Sequence, residues 1–233
     1  MPLASVFTTS YNKGEITLDA ITSVLDQSFG DFEYWILENS DDAGTLGTRE
    51  ILAPLAASDP RIRYEEIDLT PEQRCTVYPP AMLLNQYYPK ANGDYIFVLA
   101  DDDVFDSHCV EDCVTLMESD PDIWCVWFTC LIGALYPGGV YRYERQIQAV
   151  TDVGLGTFMP EVVDRVDGGQ VAHRRACLDH LDPPWYTEEH TPAVARHSDG
   201  LWLNRLAAQW RFHAIDKPLM THRRTMLSLW DKP

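Results

Sequence analysis

Residues 95–103 read Tyr95-Ile96-Phe97-Val98-Leu99-Ala100-Asp101-Asp102-Asp103, an apolar run that ends in three consecutive aspartates. The run from Tyr95 to Ala100 predicts a buried strand that carries three carboxylates out of the core at its end. Carboxylates this close repel one another, and the remedies are a raised pKa, a basic partner or a divalent metal. An acidic triplet by itself reads as a solvated turn or a helix start. Its place after a buried strand favours the metal, because ligands of open α/β sheets collect at the carboxyl ends of the strands.

Upstream, Ala4 to Thr9 predicts a strand, and Ser10 to Gly14 form a polar turn before a helix in which Leu18, Ile21, Val24 and Leu25 recur at helical spacing. A second strand is expected over Phe32 to Leu37. It ends in the polar cluster Glu38-Asn39-Ser40-Asp41-Asp42. A helix from about Thr48 to Ala57, a strand from Arg61 to Ile67, an irregular proline-bearing segment from Leu69 to Pro80 and a short helix from Ala81 to Tyr88 follow. Repeated βα units of this length imply an α/β fold with a mostly parallel sheet, and the polar clusters share one edge of it.

Downstream, Val110 to Glu118 predicts a helix and the apolar run Ile123 to Ile132 a buried strand. The glycine-bearing stretch from Gly133 to Gly169 contains Tyr141-Arg142-Tyr143-Glu144-Arg145, which reads equally as a plain β-hairpin or as a mobile flap over the sheet edge. Val171 to Leu181 reads as a helix. Leu201 to Trp210 is an amphipathic helix with Leu203, Leu206, Ala207 and Trp210 on one face.

The 233 residues, 45% of them apolar, suit one domain with a substantial core. A net charge of -18 repels phosphate backbones and anionic bilayers, so nucleic acid and membrane surfaces are poor partners. An anionic small molecule is not excluded, since a bound cation reverses the local potential. The cysteines Cys75, Cys109, Cys113, Cys125, Cys130 and Cys177 form no CxxC pair and read as reduced core thiols. No apolar stretch reaches membrane-spanning length and no signal peptide is evident, so a cytoplasmic location is expected.

Several separated blocks resemble one family, the family 2 nucleotide-sugar glycosyltransferases of GT-A fold. Val6-Phe7-Thr8-Thr9-Ser10-Tyr11-Asn12 is similar to the family's first strand and turn, and Ser23-Val24-Leu25-Asp26-Gln27-Ser28 to the end of its first helix. Ile36-Leu37-Glu38-Asn39-Ser40-Asp41 stands where the family reads the nucleoside. Asn85 and the run Ala91, Gly93, Asp94, Tyr95, Ile96 resemble the segment that precedes the family's metal motif. Five blocks in the family's order make a specific signal.

The resemblance implies a Rossmann-like three-layer sandwich, residues 1–104 forming a nucleotide-sugar-binding half and residues 105–233 an acceptor-binding half of one domain. It implies Mn2+ or Mg2+ on a DxD motif, here Asp101 and Asp103, with His222 as a third ligand. Strict family spacing would put that histidine at Thr225, and the commonest first Asp of the motif at Ala100. Donor contacts fall on Thr8, Tyr11, Asn12, Glu38, Asn85, Asp101 and Asp102, with Arg223 and Arg224 available to a diphosphate.

Ser198-Asp199-Gly200-Leu201-Trp202-Leu203 resembles the segment carrying the family's general base, which falls on Asp199; the preceding Glu of the family is Ser198 here. A helix cap is the plain alternative for Asp199. Gly168 to Arg175 is similar to the family's acceptor-side segment and offers His173 and Arg175. Trp185-Tyr186 is expected to stack on the acceptor sugar.

The activity so implied is metal-dependent, inverting transfer of a sugar from a nucleoside diphosphate, UDP by family habit, to a soluble small-molecule or glycan acceptor. A nucleotidyltransferase and a non-catalytic nucleotide-sugar-binding domain are the alternatives; the first would want a richer basic glycine loop than Lys13-Gly14 provides.

Overall fold

The computed structural model describes residues 1–41, 47–153, 166–185 and 187–225. Asp42, Tyr186 and Trp230 lie outside the described residues. The amino-terminal half alternates strand and helix: β1 (Ala4–Ser10), α1 (Ile16–Leu25), β2 (Phe32–Glu38), α2 (Thr48–Ser58), β3 (Ile62–Glu66), α3 (Pro71–Thr76), α4 (Pro79–Tyr87) and β4 (Tyr95–Val98). There follow β5 (Val104–Phe105), α5 (Cys109–Ser119), β6 (Cys125–Tyr136), β7 (Val140–Ile147), β8 (Val171–Arg174), α6 (Pro192–Ala207) and β9 (Phe212–Arg224).

All nine strands join one sheet in the order β3-β2-β1-β4-β8-β6-β9-β5, with β7 paired outside that path to β6. Neighbours β3, β2, β1 and β4 are parallel, as are β6 and β9. The reversed strands are β8, β5 and β7. Alternation along each strand divides the core into two layers. On β1 and β4, Ala4, Val6, Tyr95 and Phe97 face α1, α2 and α5 through Ile21, Val24, Leu52, Val110 and Met117. Phe7 and Ile96 face the opposite side, where α4 and α6 contribute Leu83, Leu84, Trp202, Leu203 and Leu206. The three-layer, mostly parallel α/β sandwich expected from the sequence is the fold observed.

Four sequence expectations are corrected. Val171 to Leu181 is not a helix: Val171–Arg174 is β8, inserted between β4 and β6, and a 3-10 turn at Arg175–His180 follows. A short apolar run carries no decisive period, and here the two flanking strands supply the hydrogen bonds that settle it. The segment after Leu69 holds α3, stabilised by a capping box in which the Thr70 and Gln73 side chains each bond the other residue's backbone N–H. Helix α6 begins at Pro192 rather than near Leu201, capped by Thr191, whose Oγ1 accepts from Val194 N at 3.2 Å. Cys75 is exposed, whereas the other five cysteines are buried, and all six are free thiols. The Tyr141–Arg145 stretch is part of a β-hairpin on β6.

Candidate donor and metal site

Because β1, β2 and β4 are parallel, their carboxyl ends deliver Tyr11, Glu38 and the aspartate triplet to one edge of the sheet. The reversed strand β8 delivers its beginning to that same edge, which brings in Asp167 and Gly168. Strand β9 ends there with His222 and Arg223, because Thr221 pairs with Val104 directly after the triplet.

The triplet is divided among three sets of partners. Asp101 accepts from Tyr11 N at 2.9 Å and lies 3.9 Å from Lys13 Nζ. Asp102 forms a close ion pair with Lys13, and its backbone carbonyl accepts from Arg223 Nε at 2.6 Å. Asp103 is fully buried; its Oδ1 accepts from Arg223 N at 2.8 Å and its Oδ2 lies 3.1 Å from His222 Nδ1. His222 Nδ1 is also 3.5 Å from Asp167 Oδ2, while the other Asp167 oxygen accepts from Gly169 N at 2.8 Å.

Ligand atoms of Asp103, Asp167 and His222 lie within 4.8 Å of one another. Two carboxylates and an imidazole offer three ligands to a divalent cation, and Asp103 is fully buried. Of the expected ligands Asp101, Asp103 and His222, the structure brings the last two together. Asp101 is directed instead to Lys13 and Tyr11, and Asp167 stands in the group. The Asp167-Gly168-Gly169-Gln170 turn carries a readable signal, a capping box with Gln170, but reading the next residues as a helix obscured where the turn would lie.

The electrostatics follow from the crowding. Burial works against charge on His222, but Asp103, Asp167 and Asp102 outweigh it and push the imidazolium pKa up to about 10. Burial, partly offset by Lys13 and reinforced by Asp102, lifts Asp101 to about 7. Burial followed by the Asp167 charge lifts Asp199 to about 6. Asp199 is the eighth residue of α6, about two turns in, so it does not cap that helix. Its Oδ2 accepts from Gly168 N at 3.3 Å and its Oδ1 from Ser198 Oγ at 3.4 Å. The turn that holds Asp167 toward His222 therefore also holds Asp199.

A second pocket wall lies on the β1 side. Asn12 adopts positive φ (51°), its N–H donates to Ser40 Oγ at 2.8 Å and its amide to Asp41 Oδ1 at 2.8 Å. Tyr11 OH donates to Asp41 Oδ2 at 2.9 Å, and the Arg74 guanidinium lies 4.7 Å over the Tyr11 ring. Glu38, at the end of β2, is buried, and burial raises its pKa.

Other expected contacts lie elsewhere. Thr8 is fully buried, its hydroxyl 2.9 Å from Tyr34 OH, because its place on β1 turns it into the sheet's interior. Asn85 binds Trp185 N at 2.7 Å and Glu188 at 3.1 Å, tying α4 to the segment before α6. His173 is buried on β8 with its Nδ1 donating to Arg174 O at 2.8 Å, so it faces the core rather than an acceptor. Arg223 is spent on Asp19 at 2.6 Å, and Arg224 on Glu144. Trp185 is 3% exposed and stacked on Trp202 at 4.1 Å between ring centroids, a core position and not a free sugar platform.

Residues 5–68 match the family model described as Glycosyl transferase family 2. Protein CgeD of Bacillus subtilis (strain 168) is 29% identical over 177 residues, covering 75% of this chain and 39% of that protein. TuaG of the same strain, named provisionally as a teichuronic acid biosynthesis glycosyltransferase, is 37% identical over 107 residues, covering 44% of this chain and 36% of that protein. The chain thus spans about two fifths or less of the length of these curated relatives. Among solved structures, Staphylococcus aureus TarS 1-349 in complex with UDP superposes with a TM-score of 0.63 at 16% identity, over 96% of this chain and 61% of that one. That likeness shows the fold. Among the described residues, no helix is long and apolar enough to cross a membrane.

Proposed function

We propose that the chain, whose residues 5–68 match glycosyl transferase family 2 and whose fold is that of GT-A proteins, is a glycosyltransferase of that family and transfers a sugar, with inversion, from a nucleoside diphosphate to an acceptor hydroxyl in a metal-dependent reaction. The observation that carries this reading is the convergence of Asp103, Asp167 and His222 with Asp199 on the carboxyl edge of the sheet. Residues 1–104 supply the nucleoside side of the donor site, and the later residues supply the acceptor side together with Asp167 and His222. UDP is the donor nucleotide, in keeping with the UDP held by the TarS structure.

In this reading Asp103, Asp167 and His222 hold a divalent cation, Mn2+ or Mg2+. Such an ion, once bound, neutralises charge on the departing diphosphate as a Lewis acid. Tyr11, Asn12 and Glu38 border the nucleoside, and Arg74 keeps the Tyr11 ring in place from behind. Asp199 takes the proton from the acceptor hydroxyl as the acceptor oxygen attacks the anomeric carbon and the nucleoside diphosphate leaves from the opposite face. The Gly168 N–H and the Ser198 hydroxyl orient that carboxylate. A soluble small molecule or glycan is the acceptor.

The test is turnover. The purified chain is incubated with Mn2+, a set of UDP-sugars and a panel of hydroxyl acceptors, and the anomeric configuration of any product is read by NMR. An inverted product formed by the natural chain and abolished in Asp199→Asn supports the reading; a retained anomer, or equal activity in Asp199→Asn, contradicts it.

A further inference from the structure

Resting on that reading, we propose that Lys13 is a donor-phosphate-binding residue, a tethered cation parked on Asp101 and Asp102 that turns to the diphosphate when the nucleotide arrives. Lys13 stands in the β1–α1 turn, one residue beyond Asn12, and its side chain is 12% exposed. Its ammonium is in close contact with Asp102 and 3.9 Å from Asp101 Oδ1, beside the candidate ligand Asp103.

The need for a second cation comes from charge counting. A divalent ion on Asp103 and Asp167 would be offset by the two carboxylates that hold it, so it would balance only part of the charge of an incoming diphosphate. Near that group stand the buried Asp101 and Asp102 and the half-buried Asp199, with buried Glu38 next to Asp101. The nearby basic groups are otherwise committed: Arg223 is bound to Asp19, Asp102 O and Ile16 O, Arg224 to Glu144, and Arg74 to Asn39. Lys13 differs from them in two ways. Its partners are the carboxylates of the donor site itself, and its four-carbon stem allows the head to move while the turn stays fixed.

Asp101 accepts a backbone bond from Tyr11, so one of the two carboxylates keeps a partner when the ammonium leaves. Asp102 keeps contact with Thr225 Oγ1 at 3.4 Å. The exchange therefore leaves neither carboxylate stranded, which makes a swing of Lys13 from the aspartates to the phosphates feasible on binding.

The experiment is calorimetric titration in Mn2+ with UDP and, separately, uridine, for the natural chain, Lys13→Met and Lys13→Arg, with thermal melting to check folding. Lys13→Met is expected to weaken UDP about tenfold or more while leaving uridine within about twofold, and Lys13→Arg to restore most of the loss. UDP binding unchanged in Lys13→Met overturns the proposal, because the lysine is then only a counter-ion to the aspartates. Equal loss of UDP and uridine also overturns it, since Lys13 would then shape the nucleoside pocket. Failure of the natural chain itself to bind UDP strikes instead at the reading in the previous subsection.

Discussion

At Asp199 the surroundings decide when the carboxylate can accept a proton. Burial and the neighbouring Asp167 charge hold it near pKa 6, so it is protonated and inert as a base below that pH and competent above it. We predict that kcat/KM rises with pH through an acid limb at or below about 6, because a cation on Asp167 removes part of the repulsion and lowers the limb further. A pH profile with its acid midpoint above neutrality would contradict the assignment. Asp199→Asn should cut turnover by about a hundredfold or more while leaving nucleotide affinity within about threefold. At His222 the sign is opposite. Its imidazolium persists to about pH 10 in the metal-free chain, so a metal must displace that proton to use the nitrogen. Mn2+ affinity is therefore expected to rise by about tenfold per pH unit between pH 6 and 8, with one proton released per ion. Calorimetry in buffers of different ionisation enthalpy measures that release, and a pH-independent affinity with no proton released would remove His222 from the metal shell.

At the scale of elements, three substitutions separate packing from chemistry. A Cβ on Gly93, just before β4, would lie 2.3 Å from the Ala4 carbonyl carbon and 2.6 Å from Ser5 N, backbone atoms of β1 that cannot step aside. Gly93→Ala is expected to destabilise the fold by about 2 kcal/mol or more, visible as a lower denaturant midpoint. Trp185→Ala opens a cavity against Trp202 and should cost about 3–5 kcal/mol. An unchanged melting temperature with a raised acceptor KM would instead restore the sugar-stacking role. Loss of the Thr191 cap in Thr191→Ala should cost about 1 kcal/mol and loosen the start of α6. Apart from the short α3, the strands and helices of the first hundred residues were legible because each has a clear period and a polar stop at its carboxyl end. β8 was not, since Val171-Ala172-His173 fits either period and only the presence of β4 and β6 on both sides makes it a strand. With β8 read as a helix, the place of Asp167 beside His222 was hidden, whereas Asp103, His222 and Asp199, named from the triplet and the later blocks, do lie near one another.

At the scale of the whole molecule, the proposed donor site lies in a chain of net charge -18. The parallel strands bring Glu38 and the aspartate triplet, and the reversed strand Asp167, to one edge where α6 adds Asp199; cations and raised carboxyl pKa values relieve that concentration of charge. His222, Lys13 and the buried Arg223 serve as those cations here; in the proposed reaction a divalent ion would take over the first role. Composition revealed the excess of acid but not its location, because the gathering depends on sheet order, and the place of β8 between β4 and β6 is not written in any local pattern. The most direct measurement is calorimetric titration of UDP into the natural chain and Asp103→Ala, each with and without Mn2+. Binding by the natural chain is expected only when Mn2+ is present, and none by the variant under either condition. Equal UDP affinity with and without the metal, or a variant that binds as well as the natural chain, would contradict a metal-dependent donor site at Asp103.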